Sequence, residues 1–391
     1  MGLMATTRDR ILDAARAHMD PARIPGLALL VAHGGDIVAT GLGELGVGRG
    51  PVRRDSLFRI ASTTKPVTAA VILSLITEGR LGLDDDVARW LPELAAPRVL
   101  RVADGPLEDT VALERAITVR DLLTFTNGFG MTTRMFTDPT PWPIFVASEV
   151  ELSLATLGPP NPSVQPGPDE WMARLGSLPL MAQPGTRFLY NTGASILGVL
   201  AARVGAGSLS DVLTSRVLAP AGMIDTDFYA HDPSRLATAY RATPEGLVVH
   251  DEAQGAYSHP PAFEDGAAGL VSSVDDLYGF AGLLRHGADA ISPALVREMT
   301  SDQLTPAQKI DGAFGDEFFL EQSWGFGLAV GRDGSWGWDG GLGTSFWVNP
   351  GVDLTVIVLT QRLWESPHLP LVHREIRRAA LAAVTGGRAR R

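Results

Sequence analysis

Apolar residues recur at helical spacing over residues 8–19, at Ile11, Leu12, Ala15 and Met19, and predict an opening amphipathic helix. Leu27 to His33 and Asp36 to Leu42 are β-rich runs on either side of Gly34-Gly35, which predicts a hairpin. Val67 to Leu75 carries almost no polar residue and predicts a buried helix that begins beside Ser62, runs to about Glu78 and stops at Gly79. From Leu83 to about Ala262 the chain reads as helices separated by long loops, among them a short helix start at Ile117 to Leu123 with Thr118 as its N-cap. Strand character returns at Trp324 to Val330, Ser345 to Asn349 and Val352 to Thr360, the last two joined by the turn Asn349-Pro350-Gly351. A helix over His368 to Val384 closes the chain. Strands at both ends with helices between them predict an α/β plus all-α chain. Residues 1–60 and 263–391 form the α/β lobe, 61–262 a mainly helical lobe, and the cleft between them is the default site.

Residues 131–185 break this pattern. Prolines at 139, 141, 143, 159, 160, 162, 166 and 168 predict an irregular segment. Such a length inside a compact protein reads as a lid or binding loop, or else as a linker between domains; Trp142 and Trp171 favour the lid.

Composition narrows the partners more than the chemistry. The net charge is −11 and no Lys/Arg-rich run occurs, so neither nucleic acid nor an anionic membrane surface is an expected partner. There is no cysteine, which excludes disulfides, thiolate metal sites and a cysteine nucleophile. The eight histidines are scattered without ligand spacing, so no metal and no cofactor are expected. His33, His231, His250, His259, His286 and His368 fall in loop or turn contexts and read as solvated or locally bonded. The first ten residues lack an apolar core of signal-peptide length and no stretch approaches a membrane span, so the expected location is cytoplasmic. Met1-Gly2-Leu3-Met4-Ala5-Thr6 fits the loose N-myristoylation pattern, which six residues match easily by chance.

Lysine occurs only at Lys65 and Lys309, so a lysine three residues after Ser62 is chemically pointed. That spacing carries the second side chain about 300° round a helix and about 4.5 Å along it, so the two are neighbours on one face. A buried amine can lose its proton and activate a serine, whereas arginine cannot. Ser-x-x-Lys alone is weak, since surface helices produce it often. Pro66 tolerates only a helix's first turn, which places Ser62 at the N-terminus, where free N–H groups point at a nucleophile.

The mechanism also needs a second acid/base group and two oxyanion donors. Pro184 to Gly193 offers Tyr190 in a turn ahead of an apolar helix, although a tyrosine packed on that helix is an equal reading. Trp336 to Thr344 offers a Gly-rich strand that a substrate could approach closely, or a tight sheet bend. The Gly-x-Ser-x-Gly of an α/β-hydrolase is absent. Gly41-Leu42-Gly43 and Gly340-Gly341-Leu342-Gly343 lack the context of a phosphate loop, and Asp84-Asp85-Asp86 reads as a solvated turn.

Ser-x-x-Lys, a tyrosine motif and a late Gly-rich strand, in that order, resemble the serine β-lactamase and penicillin-binding-protein superfamily. The chain is most similar to the class C β-lactamase-related branch with its family VIII carboxylesterases. Leu57 to Lys65, Ile117 to Gly128, Pro184 to Gly193, Gly269 to Ser273 and Trp324 to Gly327 carry the likeness, which spans about Ile24 to Gln361. The resemblance implies a β-lactamase/transpeptidase-like fold, an antiparallel sheet flanked by helices. It also implies Ser62 as nucleophile, Lys65 as its base or co-base, and Tyr190 as the group that shares protons with Lys65 and protonates the leaving group. The oxyanion hole would be the backbone N–H of Ser62 and of Gly341. Two departures stand out: Tyr-x-Asn is here Tyr190-Asn191-Thr192, and Lys-Thr-Gly is here Trp338-Asp339-Gly340. Thr192, Trp338, Asp339 and Gly340 are therefore expected at the substrate site. An uncharged indole donor and a carboxylate in place of lysine disfavour an anionic substrate and suit a neutral ester.

The expectation is a serine hydrolase acting on a small-molecule carboxylic ester through a Ser62 acyl-enzyme. The alternatives are an amide-bond enzyme (β-lactamase, DD-peptidase or D-aminopeptidase), an acyltransferase using the same intermediate, or a ligand-binding relative that does not turn over. Oligomeric state is not legible.

Overall fold

The computed structural model describes residues 5–158, 160–287, 290–365 and 369–385. The predicted helix start at His368 and the first four residues of the acylation pattern lie outside them. Helix α1 (Ala5–His18) leads into the hairpin β1 (Gly26–His33) and β2 (Asp36–Gly43), turned at Gly34-Gly35 with φ of 59° and 87°. The C-terminal strands are β3 (Gln322–Trp324), β4 (Ala329–Gly331), β5 (Trp336–Gly340), β6 (Thr344–Asn349) and β7 (Leu354–Thr360). All seven strands form one antiparallel sheet in the order β2-β1-β7-β6-β5-β4-β3, so the first and last parts of the chain meet at β1 and β7.

The run Trp324 to Val330 is two strands, not one. Its Gly325 packs where a Cβ would lie 2.0 Å from the Met299 carbonyl, and Gly327 sits at φ 69°, so the backbone turns between them. A further hairpin, Ala239–Thr243 with Gly246–Asp251, lies inside the stretch expected to be mainly helical.

Side chains on the two faces of the sheet enter different cores. Leu27, Leu29 and Val31 of β1 and Val356 and Val358 of β7 pack on Ile11 and Ala15 of α1 and on Val372, Ile376 and Ala380 of the last helix, Leu371–Thr385. That helix buries one stripe at helical spacing and leaves its other face to solvent. On the inner face Ala28, Leu30, Phe346, Ile357 and Leu359 join helix α2 (Thr64–Thr77) and helix α6 (Val274–His286). Every side chain of α2 from Thr64 to Leu75 is buried, as its missing polar face predicts. Each large apolar residue there contributes about 1.5–3 kcal/mol of transfer free energy. The same inner core continues through α3 (Val119–Leu123), α4 (Pro168–Gly176) and α5 (Thr192–Gly205), so the sheet part and the helical part share one interior. Thr118 caps α3 in a reciprocal box with Asp121.

The 131–185 segment is far more regular than its prolines predict. It holds short helical pieces at Arg134–Thr137 and Pro143–Phe145, the latter continuing as a π-turn over Val146–Glu151, and then α4. Pro143 and Pro168 each stand at a first helical position, where the missing N–H costs nothing. Trp171 is fully buried, donates its indole N–H to the Leu154 carbonyl at 2.9 Å and stacks on Phe263. Among the described residues no single helix is long and apolar enough to cross a membrane.

Candidate active site

Ser62 lies in a 3₁₀ turn, Ala61–Thr63, that runs directly into α2. Pro66 is the third residue of that helix and so within the first turn. Ala61 is held at φ 44°, a left-handed conformation that a residue with a Cβ adopts only when its surroundings over-determine it. Those surroundings are visible. The Ile60 N–H donates to the Leu270 carbonyl at 2.9 Å, and the Ile60 carbonyl accepts from Thr344 Oγ1 at 2.8 Å. At the end of β5, Gly340 presses on the same carbonyl: a Cβ there would lie 2.3 Å from Ile60 O and 2.2 Å from Thr344 Oγ1. The strand end and the Ser62 turn therefore meet backbone to backbone. Gly341 follows with open space around it. Neither its N–H nor that of Ser62 has a protein acceptor among the described residues.

Lys65 Nζ donates to Ser62 Oγ at 2.9 Å and to the Ala267 carbonyl at 2.9 Å. Lys65 is 1% exposed and makes no salt bridge among the described residues, while Ser62 stays partly open to solvent. Burial pulls the ammonium down to about 7, opposed only by the charge of Asp265. Part of the population is thus a neutral amine near neutral pH. Its nitrogen also lies 4.6 Å from the centre of the Tyr190 ring.

Tyr190 reaches the same point from the chain just before α5. Its backbone pairs with Met131, and the following Asn191 is at φ 85°, tied through Nδ2 to the Thr156 carbonyl at 2.6 Å. Burial raises the Tyr190 pKa, so the phenol keeps its proton, while contacts with Ser62 and Trp338 oppose that rise. The Trp338 indole N–H donates to Tyr190 Oη at 2.6 Å. Ser62, Lys65, Tyr190, Trp338, Gly340 and Gly341 are therefore brought together.

Two expected residues are placed elsewhere. Asp339 is next to Trp338 in β5, and the pleat turns it to the opposite face. There its carboxylate accepts the Trp347 indole N–H at 2.9 Å and faces Arg377, whose guanidinium lies 4.3 Å over the Trp347 ring. Thr192 is fully buried, and its hydroxyl accepts from Thr156 Oγ1 at 3.1 Å, which ties α5 to the 131–185 segment.

Sequence reasoning missed the aromatic wall. Phe314, at φ 69° just before the helix α7 (Gly315–Glu321), puts its ring 4.6 Å from that of Tyr190 and 5.7 Å from that of Trp338. Phe318 and Trp324 close on Trp338 at 6.0 and 4.7 Å. The sequence signal was the Phe-rich Phe314 to Phe319 run, which carries no spacing that points to a site. Asp265 was missed as well. It is 4% exposed and follows no motif.

A half-buried serine in a strained turn, with a sealed amine on its oxygen and a neutral phenol beside that amine, is the arrangement that a serine hydrolase of the Ser-x-x-Lys type requires. The chain belongs to the beta-lactamase family, whose model matches residues 11–381. It is 37% identical over 331 residues to protein Rv1367c of Mycobacterium tuberculosis, across 80% of this chain and 79% of that one. It is 29% identical over 399 residues to esterase EstB of Burkholderia gladioli, across 94% and 93%. Among solved structures, EstCE1, a hydrolase with promiscuous acyltransferase activity, superposes with a TM-score of 0.79 at 24% identity, across 96% of this chain and 98% of that one. The LovD6 mutant of simvastatin synthase from Aspergillus terreus gives a TM-score of 0.78 at 20% identity, across 99% and 96%. At those identities the two structures speak for the fold alone.

Proposed function

We propose that the chain cleaves neutral carboxylic esters of small to medium size through an acyl-enzyme on Ser62. The observation that carries this reading is the Trp338–Tyr190 hydrogen bond of 2.6 Å. Where the superfamily pattern has a lysine able to hold a substrate carboxylate, this chain has an uncharged indole whose one N–H is already engaged. Asp339 does not contribute to this preference, because its carboxylate lies on the other face of the strand against Trp347. The name of the EstB relative supports the same reading.

Neutral Lys65 takes the Ser62 hydroxyl proton as Oγ attacks the ester carbonyl carbon. The N–H groups of Ser62 and Gly341 receive the oxyanion. Because Trp338 occupies one lone pair of Tyr190 Oη, the phenol proton is directed away from the indole, toward the Ser62 side of the cleft. There it passes to the leaving alkoxide as the C–O bond breaks, and Lys65 returns its proton to Tyr190. Water then repeats the sequence on the acyl carbonyl, releasing the acid and restoring Ser62.

Acyl transfer to an alcohol is the second reading. Phe314 and Phe318 cover Tyr190 and Trp338 with apolar surface, which favours an organic acceptor over water at the deacylation step. The test is intact mass and peptide mapping after a fluorophosphonate probe and, separately, after penicillin, followed by ester turnover with and without added alcohol. A probe adduct on Ser62, no penicillin adduct and release of free acid are expected. Stable penicillin acylation with turnover of a chromogenic cephalosporin would select an amide-bond enzyme instead, and full ester turnover by Ser62→Ala would sink the acyl-enzyme.

A further inference from the structure

The turn Asp265 to Leu270 is wedged between α2 and α5. A Cβ on Gly266 would lie 2.6 Å from the Ala194 carbonyl and 3.1 Å from Gly198 Cα, so the turn cannot stand off from either helix. The Gly266 carbonyl accepts from Thr68 Oγ1 at 2.8 Å and the Ala267 carbonyl from Lys65 Nζ at 2.9 Å. Inside this turn lies a carboxyl that the reaction, as derived above, does not use. Asp265 Oδ1 accepts from Ser195 Oγ at 2.7 Å and from the Ala267 N–H at 2.9 Å. No arginine, lysine or histidine forms a salt bridge with it among the described residues, and it is nevertheless 4% exposed. Lys65 is the mirror case, a buried amine without an ion-pair partner. One residue, Ala267, bridges the two: its N–H holds the carboxyl and its carbonyl holds the amine.

We infer that Asp265 is a positioning residue for the reaction: the buried counter-charge that sets the proton affinity of Lys65, through the Ala267 peptide group and without touching substrate. A carboxylate in a dry interior acts strongly on a nearby amine, and an amine with no such partner would lose its proton far below neutrality. The other groups facing the pair do not supply this charge. From the Ser62 turn comes a hydroxyl, and from the start of α5 the phenol of Tyr190, whose pKa burial raises. From α5 comes Ser195, and from the segment at 256–258 the buried Tyr257, also raised. Gln165 of the 131–185 segment is neutral. Glu264, the neighbour of Asp265, turns its carboxylate to the Ser210 N–H at 2.9 Å. Burial raises Asp265 and the charge of Lys65 lowers it, so each group's ionisation favours the other's.

This inference rests on the reading of Lys65 as the base, and the experiment keeps the two apart. Asp265→Asn removes the charge while its amide oxygen still accepts from Ser195 and Ala267. Because lysine occurs only twice, ¹⁵N-lysine labelling gives two side-chain signals, and Lys309→Arg identifies which is Lys65. In Asp265→Asn the Lys65 signal titrates about one pH unit or more lower than in the wild type, and the acid limb of kcat/KM for a chromogenic ester moves down with it. The reciprocal variant, Lys65→Met, moves the titration of the Asp265 carboxyl carbon upward by a matching amount, as linkage requires, and serves if Asp265→Asn does not fold. A Lys65 titration unchanged in Asp265→Asn, or an Asp265 titration unchanged in Lys65→Met, overturns the inference whether or not esters turn over. A shifted Lys65 titration with an unmoved acid limb overturns the role in the reaction and points away from Lys65 as base.

Discussion

On the inner face of the sheet Lys65, Tyr190 and Trp338 meet with no salt bridge to any of them among the described residues, and burial moves both titratable groups toward their neutral forms. On the outer face, one residue along the same strand, Asp339 is bonded to the Trp347 indole and faces Arg377. Nearby, His373 of the last helix is buried and donates through Nε2 to the Gly343 carbonyl at 3.0 Å. The inner groups are left with proton affinities that a reaction can use. Burial likewise raises Asp339 and lowers Arg377 and His373, but these groups sit behind the strand, where Asp339 holds the Trp347 indole and His373 the Gly343 carbonyl. Chemistry and support are thus divided by the pleat of a single strand.

The largest effect that would break this comparison is expected at the amine. Lys65→Met removes the proposed base and should lower kcat/KM for a chromogenic ester by about a thousand-fold or more, with an unchanged circular dichroism spectrum. Activity within ten-fold of wild type would mean that the inner face is no more than packing. Trp338→Phe keeps the ring and removes the N–H that holds Tyr190 Oη. A fall in kcat of about 10- to 100-fold with little change in KM is expected, since the loss is of proton direction and not of pocket volume.

On the outer face the expected losses are in stability. Burial holds His373 down at about 4, against an ordinary value near 6.5. Between those values the unfolded chain binds a proton that the folded chain refuses. Stability is therefore full above pH 6.5, falls as pH drops through that window, and has lost about 3 kcal/mol below pH 4. Urea midpoints measured from pH 7 to pH 4 check this, and His373→Gln should flatten the slope. Asp339→Asn is expected to do least to the reaction. It takes the counter-charge from Arg377 and lowers stability by about 1–3 kcal/mol, with kcat/KM within two- to three-fold and no new preference for anionic esters. A gain of anionic substrates would return Asp339 to the site.

Much of this organisation can be read along the chain. The Gly34-Gly35 hairpin and the run from Val67 to Leu75 needed only periodicity and composition, because both are local. Tyr190 and Gly341 could be placed only through the resemblance, since no spacing rule joins residues 62, 190 and 341. The opposite facing of Trp338 and Asp339 was available in the sequence, as adjacent strand residues point apart, but reading the triad as a unit hid it. The regularity of 131–185 was hidden by counting prolines without asking which could begin a helix. Phe314 stands in a Phe-rich run without telling spacing, and Asp265 has no local signal at all. One owes its place to a left-handed turn and the other to a wedge between two helices, both settled by packing across long sequence separations.

The close approach at Gly340 also sets where this enzyme can be redesigned. A side chain at 340 would have to push the strand end off the Ile60 carbonyl and carry the neighbouring Gly341 amide, the proposed oxyanion donor, with it, whereas a Cβ at 341 meets nothing within 4 Å. Two adjacent glycines thus differ completely in evolvability. Position 340 is fixed by the architecture, and position 341 is free space beside Ser62's turn, where, on the proposed mechanism, a new residue could select among acyl groups.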